Sequence, residues 1–393
     1  MNGGNRKQGM KLTGLLRKVV FVFSLPVLLS GIDPLLVYAE EYNDLPEQVQ
    51  TGETELAKLD DFIRDELPGR RICFSDLVDR LICGDTDHIL TIIKEYLKDS
   101  LSYIFRINKE SVVRLTLAAI LAALFSNFSN VFMSDQIAQT GFYIAYIVLI
   151  TFCLHTFRLT ADTVAQSLER LTEFMKVLGP VYFMGMAAAG GHFSSIAFNN
   201  IILFIIFLVE KVIATVILPL IHIFVMVRIL NFLSEEEYLT KFSEMIQITA
   251  EWSMKMLVTM VTGIGLIKGL ISPSIDVVNK SAVTRGIRIL PGLGGALGET
   301  AEVALGTAVL IKNGIGAVGV TILIMICIVP IGNMAFTALA FKGFAAFIQP
   351  VSDKRIVEAV NSIAIGYMMM VKVLFNTALL FLITIAVAAF ATN

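Results

Sequence analysis

The sequence predicts an all-α fold: a polytopic membrane helical bundle of about seven to eight spans, with a small exported helical domain at its N-terminus. Three observations carry this. Of 393 residues, 56% are hydrophobic and only 16% are charged, against about 25% charged in soluble domains. Apolar runs of membrane-spanning length recur beyond Ser111, and mean hydropathy is +0.76. The charge is concentrated upstream: Glu40 to Glu110 holds 17 acidic and 9 basic residues, a net of −8. The whole chain carries a net charge of −2, so no nucleic-acid partner is expected.

Residues 1–39 read as a signal peptide. Arg6, Lys7, Lys11, Arg17 and Lys18 form a basic start without an acidic residue, and Val19 to Ser30 is a short apolar run. Val37-Tyr38-Ala39 then presents small residues at the positions a signal peptidase reads. Cleaved after Ala39 or kept as an anchor, this segment places Glu40 onward outside the cytoplasm.

Residues 40–110 read as an exported acidic helical domain. Leu56, Leu59, Phe62, Ile63 and Leu67 follow the helical period, and Pro68-Gly69 ends that helix. Phe74, Leu77, Val78, Leu81 and Ile82 repeat the pattern, and Ile89, Ile93, Tyr96, Leu97, Leu101 and Ile104 make a third helix. Each apolar stripe must be buried against something, and the segment is small for a core of its own. It therefore packs on itself, on the membrane bundle or on a partner. Cys73 and Cys83, the two cysteines outside the apolar runs, are either a disulfide of an oxidising compartment or two separate thiols.

Residues 111–393 read as the transmembrane domain. Candidate spans are 112–128, 137–157, 179–197, 201–228, 256–272, 292–311, 315–340 and 373–390. Alternation from an exported N-terminus puts 229–255 outside, with five Glu against two Lys, and 273–291 inside, with Lys280, Arg285 and Arg288 against Asp276. That agrees with the positive-inside rule. Two polar connections also read as helical. Val164, Leu168, Leu171, Met175 and Leu178 share one face, and Ser234 with Glu237 has capping-box spacing. Each either lies along the membrane surface or extends a spanning helix.

Two groups of residues are candidates for function. Glu210 and Lys211 interrupt an apolar run from Ile201 to Ile221 that holds 16 Ile, Leu, Phe and Val residues. Those residues favour insertion by about 5 to 10 kcal/mol, and two central charges oppose it by about 5 to 7. The pair either faces protein or water at mid-depth, or lies near an interface on a helix that continues past Pro219. The second group is the Gly-rich segment 286–319. Gly292, Gly294, Gly295, Gly298 and Gly306 surround Glu299 and Glu302, and Lys312 follows. Small residues let helices approach closely, and Gly-interrupted spans build transporter sites. A polar pathway and tight helix packing both fit.

Gly314-Ile315-Gly316-Ala317-Val318-Gly319 matches a dinucleotide fingerprint only by letter, because it sits in an apolar span with no strand before it. His88, His155, His192 and His222 are scattered. No catalytic, cofactor or metal site is expected, and an enzyme is not expected.

In its C-terminal third the sequence resembles the stage III sporulation protein AE family. The resemblance rests on Ile289-Leu290-Pro291-Gly292-Leu293-Gly294-Gly295-Ala296-Leu297, on Leu310-Ile311-Lys312-Asn313, and on Gln349-Pro350-Val351-Ser352-Asp353-Lys354-Arg355-Ile356-Val357. Ile267-Lys268-Gly269-Leu270 also fits. Where the family pattern has Ser-Asp after Gly-Gly-Ala-Leu, Gly298-Glu299 stands here. The resemblance marks Gln349, Pro350, Asp353, Lys354 and Arg355 as a candidate cytoplasmic loop. It implies a membrane component of the mother cell–forespore channel, or export apparatus, required for endospore formation. The implied location is the outer forespore membrane, with the N-terminal domain in the intermembrane space. The implied partners are the other stage III sporulation A-operon proteins, including the AA ATPase, with stage II sporulation protein Q reached indirectly, and membrane lipid. A stand-alone secondary transporter and a membrane scaffold for partner proteins are the competing expectations.

Overall fold

The computed structural model describes residues 50–67, 72–131, 135–188, 192–233, 238–288, 294–350 and 352–390. Among the described residues every regular element is a helix, as the apolar periodicity requires. In chain order these are α1 (Gln50–Glu66), α2 (Phe74–Ile82), α3 (Thr86–Val131), α4 (Asp135–Ala188), α5 (His192–Val212), a π-helical turn (Ile213–Ile217), α6 (Leu218–Leu233), α7 (Thr240–Arg288), α8 (Gly294–Ile348) and α9 (Lys354–Phe390). The signal segment 1–39 and the Ser234–Glu237 capping box lie outside the described residues.

Among the described residues, four helical stretches are long and apolar enough to cross a membrane: Tyr146–Ala187, Ile202–Leu233, Val309–Ile348 and Lys354–Ala389. The helices are longer than the sequence pattern suggests. At 55 residues, α8 extends about 82 Å, against a hydrocarbon core of about 30 Å. The spans read as 292–311 and 315–340 are separated by no turn, because both lie on α8. Gly314, Gly316 and Gly319 are buried contact points, so they relieve crowding between helices and do not bend the chain. The third amphipathic helix and the span 112–128 likewise merge into α3, which runs through 110–111 unbroken. Residues 201–228 stay helical across Glu210-Lys211, as the absence of a turn residue there predicts. The π turn has a cause. Pro219 has no N–H to offer the preceding turn, and its ring crowds the carbonyl four residues back. The chain widens just upstream, where Leu218 N–H donates to Ile213 O.

The core is an antiparallel pairing of α8 and α9, with α4 and α6 packed on it. Phe341 of α8 and Tyr367 of α9 pack at a 45° tilt with ring centroids 4.9 Å apart. Tyr367 meets Phe157 of α4 edge-on at 5.2 Å, and Phe157 meets His222 of α6 at 5.6 Å. Gly366 makes this crossing possible, because a Cβ there would strike Val225 of α6 and come within 3.0 Å of the Phe157 ring. At the α6 end, Tyr146 donates to Ile229 O at 2.7 Å. Asn231 bridges α6 to α7, accepting from Leu239 N at 2.6 Å and donating to Thr240 Oγ1 at 2.9 Å. Lys372 of α9 pairs with Glu251 of α7 at 2.9 Å.

The N-terminal helices pack on this bundle, one of the options the amphipathic stripes leave open. Leu59, Ile63, Phe74, Leu77 and Val78 are buried. Phe62 of α1 lies 6.0 Å from Phe174 of α4, centroid to centroid, and Glu66 pairs with Arg170 at 3.4 Å. Val78 and Ile82 of α2 border Gly314 of α8. Asp60 of α1 accepts from Phe74 N–H at the start of α2, so one carboxylate both ties the two helices and satisfies a free N-terminal donor. Cys73 and Cys83 cap opposite ends of α2 as exposed, free thiols. The intervening helix of nine residues holds them about 15 Å apart along its axis, too far to bridge.

Gly366→Ala is expected to cost about 1 to 3 kcal/mol through overpacking. Gly343→Ala, where nothing lies within 4 Å of the added carbon, is expected to be neutral or stabilising by about 0.5 to 1 kcal/mol. Thermal unfolding of the two purified variants checks both.

A second expectation follows from Glu66. Burial raises its pKa above the ordinary carboxylate value, and Arg170 only partly offsets this. The folded cap therefore holds this proton more tightly than the unfolded chain. Its contribution to stability is fully present below the unfolded value and is lost as pH rises through the folded one. Glu66→Gln should accordingly raise the melting temperature of the protein at pH 7, with the gain shrinking as pH falls toward 4.5. A gain that grows on acidification would refute this account of the docking.

Candidate functional site

The charges singled out from sequence separate into different environments. Glu210 lies on the flank of α5 and pairs with Lys176 of α4 at 3.0 Å, with both side chains about half exposed. Lys176 is two residues from Phe174, which packs on α1. The pair thus stands at the level of the N-terminal helices. Lys211 is exposed. No ion pair among the described residues joins Glu210 to Lys312.

Lys312 is fully buried on α8. Its Nζ donates to Ala389 O in the last turn of α9 at 3.2 Å. The last carbonyls of a helix lack intrahelical donors and carry the negative end of its dipole, so a cation there is favourably placed. Gly185 of α4 packs over the Lys312 backbone, with a Cβ position 3.5 Å from Lys312 Cα. Gly294, Gly295, Gly298, Glu299 and Glu302 open α8, but their side chains lie outside the described residues, as does Gly292 entirely.

Residues 349–353 connect α8 to α9, whose first two residues are Lys354 and Arg355. Asp353 is the start signal for α9: its carboxylate accepts from Arg355 N at 2.8 Å and from Arg355 Nε at 3.3 Å. Gln349, Pro350 and Lys354 are exposed around it. Val351 lies outside the described residues.

The structure also assembles a polar site that none of these candidates includes. Asn108 of α3, Thr156, Thr160 and Thr163 of α4, and Asn333 and Thr337 of α8 line a cavity of about 190 Å³. Ile107, Phe152, Leu159 and Thr163, all exposed, stand at its open edge, and Met334 and Phe341 supply apolar walls. Asn108 Nδ2 donates to Asn333 Oδ1 at 2.6 Å, tying α3 to α8. A sequence signal for it existed. Thr156, Thr160 and Thr163 share a helical face at i, i+4 and i+7, and Asn333 with Thr337 repeats the i, i+4 spacing.

Long apolar helices, polar seams between them and a docked amphipathic N-terminal layer define an all-α, multi-helix membrane protein. Its family follows from comparison. The model of the family described as stage III sporulation protein AE matches residues 72–392, and the chain belongs to that family. It is similar to stage III sporulation protein AE of Bacillus subtilis (strain 168), with 24% identity over 313 residues covering 76% of each chain. No solved structure matches. The chain is thus a sporulation-related membrane protein.

Lys312→Met is expected to fray the C-terminal turn of α9 and to cost about 1 to 2 kcal/mol, the scale of a hydrogen bond to a charged group. Lys312→Arg should retain most of it. Hydrogen exchange at residues 386–390 reads the effect, and unchanged protection in the Met variant would remove Lys312 from this role.

Proposed function

We propose that this protein is a membrane component of the channel or export apparatus that joins mother cell and forespore during endospore formation. The observation that carries the reading is the family match, which runs from α2 through the whole of α9. It takes in α2 of the N-terminal layer and the whole bundle, while α1 precedes it. The protein sits in the outer forespore membrane with residues 40–110 on the intermembrane side. It works as a structural and conducting part and not as an enzyme. Energy is supplied by a partner, the AA ATPase, and the other stage III sporulation A-operon proteins complete the assembly. Stage II sporulation protein Q is reached through them. The placement of α1 and α2 on α4 and α8 supports this arrangement, because it couples an acidic exported surface directly to the apolar helices.

Deletion of the gene is expected to abolish heat-resistant spores and late forespore gene expression while vegetative growth continues. Normal spore yield would overturn the reading. Deleting the AA ATPase in the same strain separates the alternatives. An apparatus component gives a double mutant no worse than either single one, whereas a stand-alone transporter gives additive defects.

A further inference from the structure

The cavity between α3, α4 and α8 has a hydrogen-bond inventory that favours one kind of occupant. Thr156 donates to Phe152 O at 3.0 Å, Thr160 to Thr156 O at 2.8 Å, and Thr163 to Leu159 O at 3.1 Å. Across the cavity Thr337 donates to Asn333 O at 2.9 Å. A hydroxyl has one hydrogen and two lone pairs. With its hydrogen committed to its own helix, each of these oxygens can only accept; Thr160 Oγ1 already accepts from the Tyr367 hydroxyl at 3.5 Å and keeps one lone pair, and Thr337 Oγ1 also lies 3.4 Å from Asn108 Oδ1. Asn108 spends its amide hydrogens on Ile104 O at 2.9 Å and Asn333 Oδ1 at 2.6 Å. The amide nitrogen of Asn333 is the donor this wall retains. The site therefore offers several acceptors and one donor group.

No ionisable side chain lines the cavity among the described residues. An ion entering it would exchange water for neutral oxygens and phenyl rings with no counter-charge, which is costly. An uncharged ligand is favoured instead. The three threonine oxygens of α4 spread over about 10 Å of helix, so a ligand that satisfies them carries several O–H groups. A volume of about 190 Å³ has room for several waters and admits a single sugar or cyclitol ring. Phe152 and Phe341 cover its C–H faces.

We propose that this cavity is a binding site for a small uncharged polyol. Thr156, Thr160 and Thr163 accept its hydroxyl hydrogens, and Asn333 donates to one of its oxygens. The assignment is independent of the proposed function, since it concerns occupancy of the resting protein.

The test uses the full chain in lipid nanodiscs with myo-inositol as probe, read by ligand-observed saturation-transfer NMR. Wild type is expected to give a saturable signal. Thr160→Val, which keeps the side-chain shape and removes the oxygen, should weaken it at least tenfold. Thr160→Ser should restore it, and Asn333→Leu should also weaken it. Thermal unfolding run alongside shows that the Val variant is folded. Three results overturn the proposal. No saturable signal in wild type means that the cavity holds water only. Equal signals in wild type and Thr160→Val place the probe elsewhere. A stronger response to acetamide than to myo-inositol makes the ligand an amide.

Discussion

Gly366 is where three helices can meet. Without a side chain there, α9 lies against Val225 of α6 and the Phe157 ring of α4 together, and the neighbouring Tyr367 fills the space that remains with Phe157 and Phe341. Inside a bilayer there is no hydrophobic drive between apolar helices, so packing must supply the attraction. Close approach of backbones is the means, and the other junctions repeat it. Gly316 meets Tyr182, Gly319 meets Leu178 and Gly332 meets Ile104. The bundle is thus organised by where side chains are absent as much as by which are present.

The sequence made the helical class readable because composition and period agree over long stretches. The amphipathic faces of α1 and α2 were readable for the same reason, residue by residue, from Leu59 to Val78. The continuity of α8 was not. Lys312-Asn313-Gly314 has the composition of a turn, and only the burial of Lys312 and the contacts of Gly314 with Val78 and Ile82 show that the chain runs straight through. Glu210 and Lys312 look equivalent in sequence, as charges in apolar runs. The structure pairs one with an exposed lysine and turns the other inward onto a helix end. That distinction depends on neighbours more than 30 residues away, which no local pattern encodes.

The polar cavity shows the opposite limit. Its threonines are spaced helically and could have been found, but threonine within an apolar helix ordinarily satisfies itself by bonding the carbonyl one turn back. Each of the three in α4 does this. What the sequence could not show is that Asn108 and Asn333 come from distant helices to close the opposite side. Threonine at such a site costs little during insertion because its hydrogen is already spent, while its oxygen remains available. A membrane helix can thereby carry latent polarity.

The contact of Val78 and Ile82 with Gly314 also sets a schedule for biosynthesis. Val78 leaves the ribosome 236 residues before its partner. At about 5 to 20 residues per second, the wait is about 10 to 50 s. Through that interval the apolar stripe of α2 has no α8 to cover it, and α1 can settle only on α4. The newborn N-terminal segment is therefore an adhesive surface until translation is nearly complete. A chaperone or neighbouring subunit that shields it during those seconds would govern the yield of correctly assembled protein without ever touching the finished molecule.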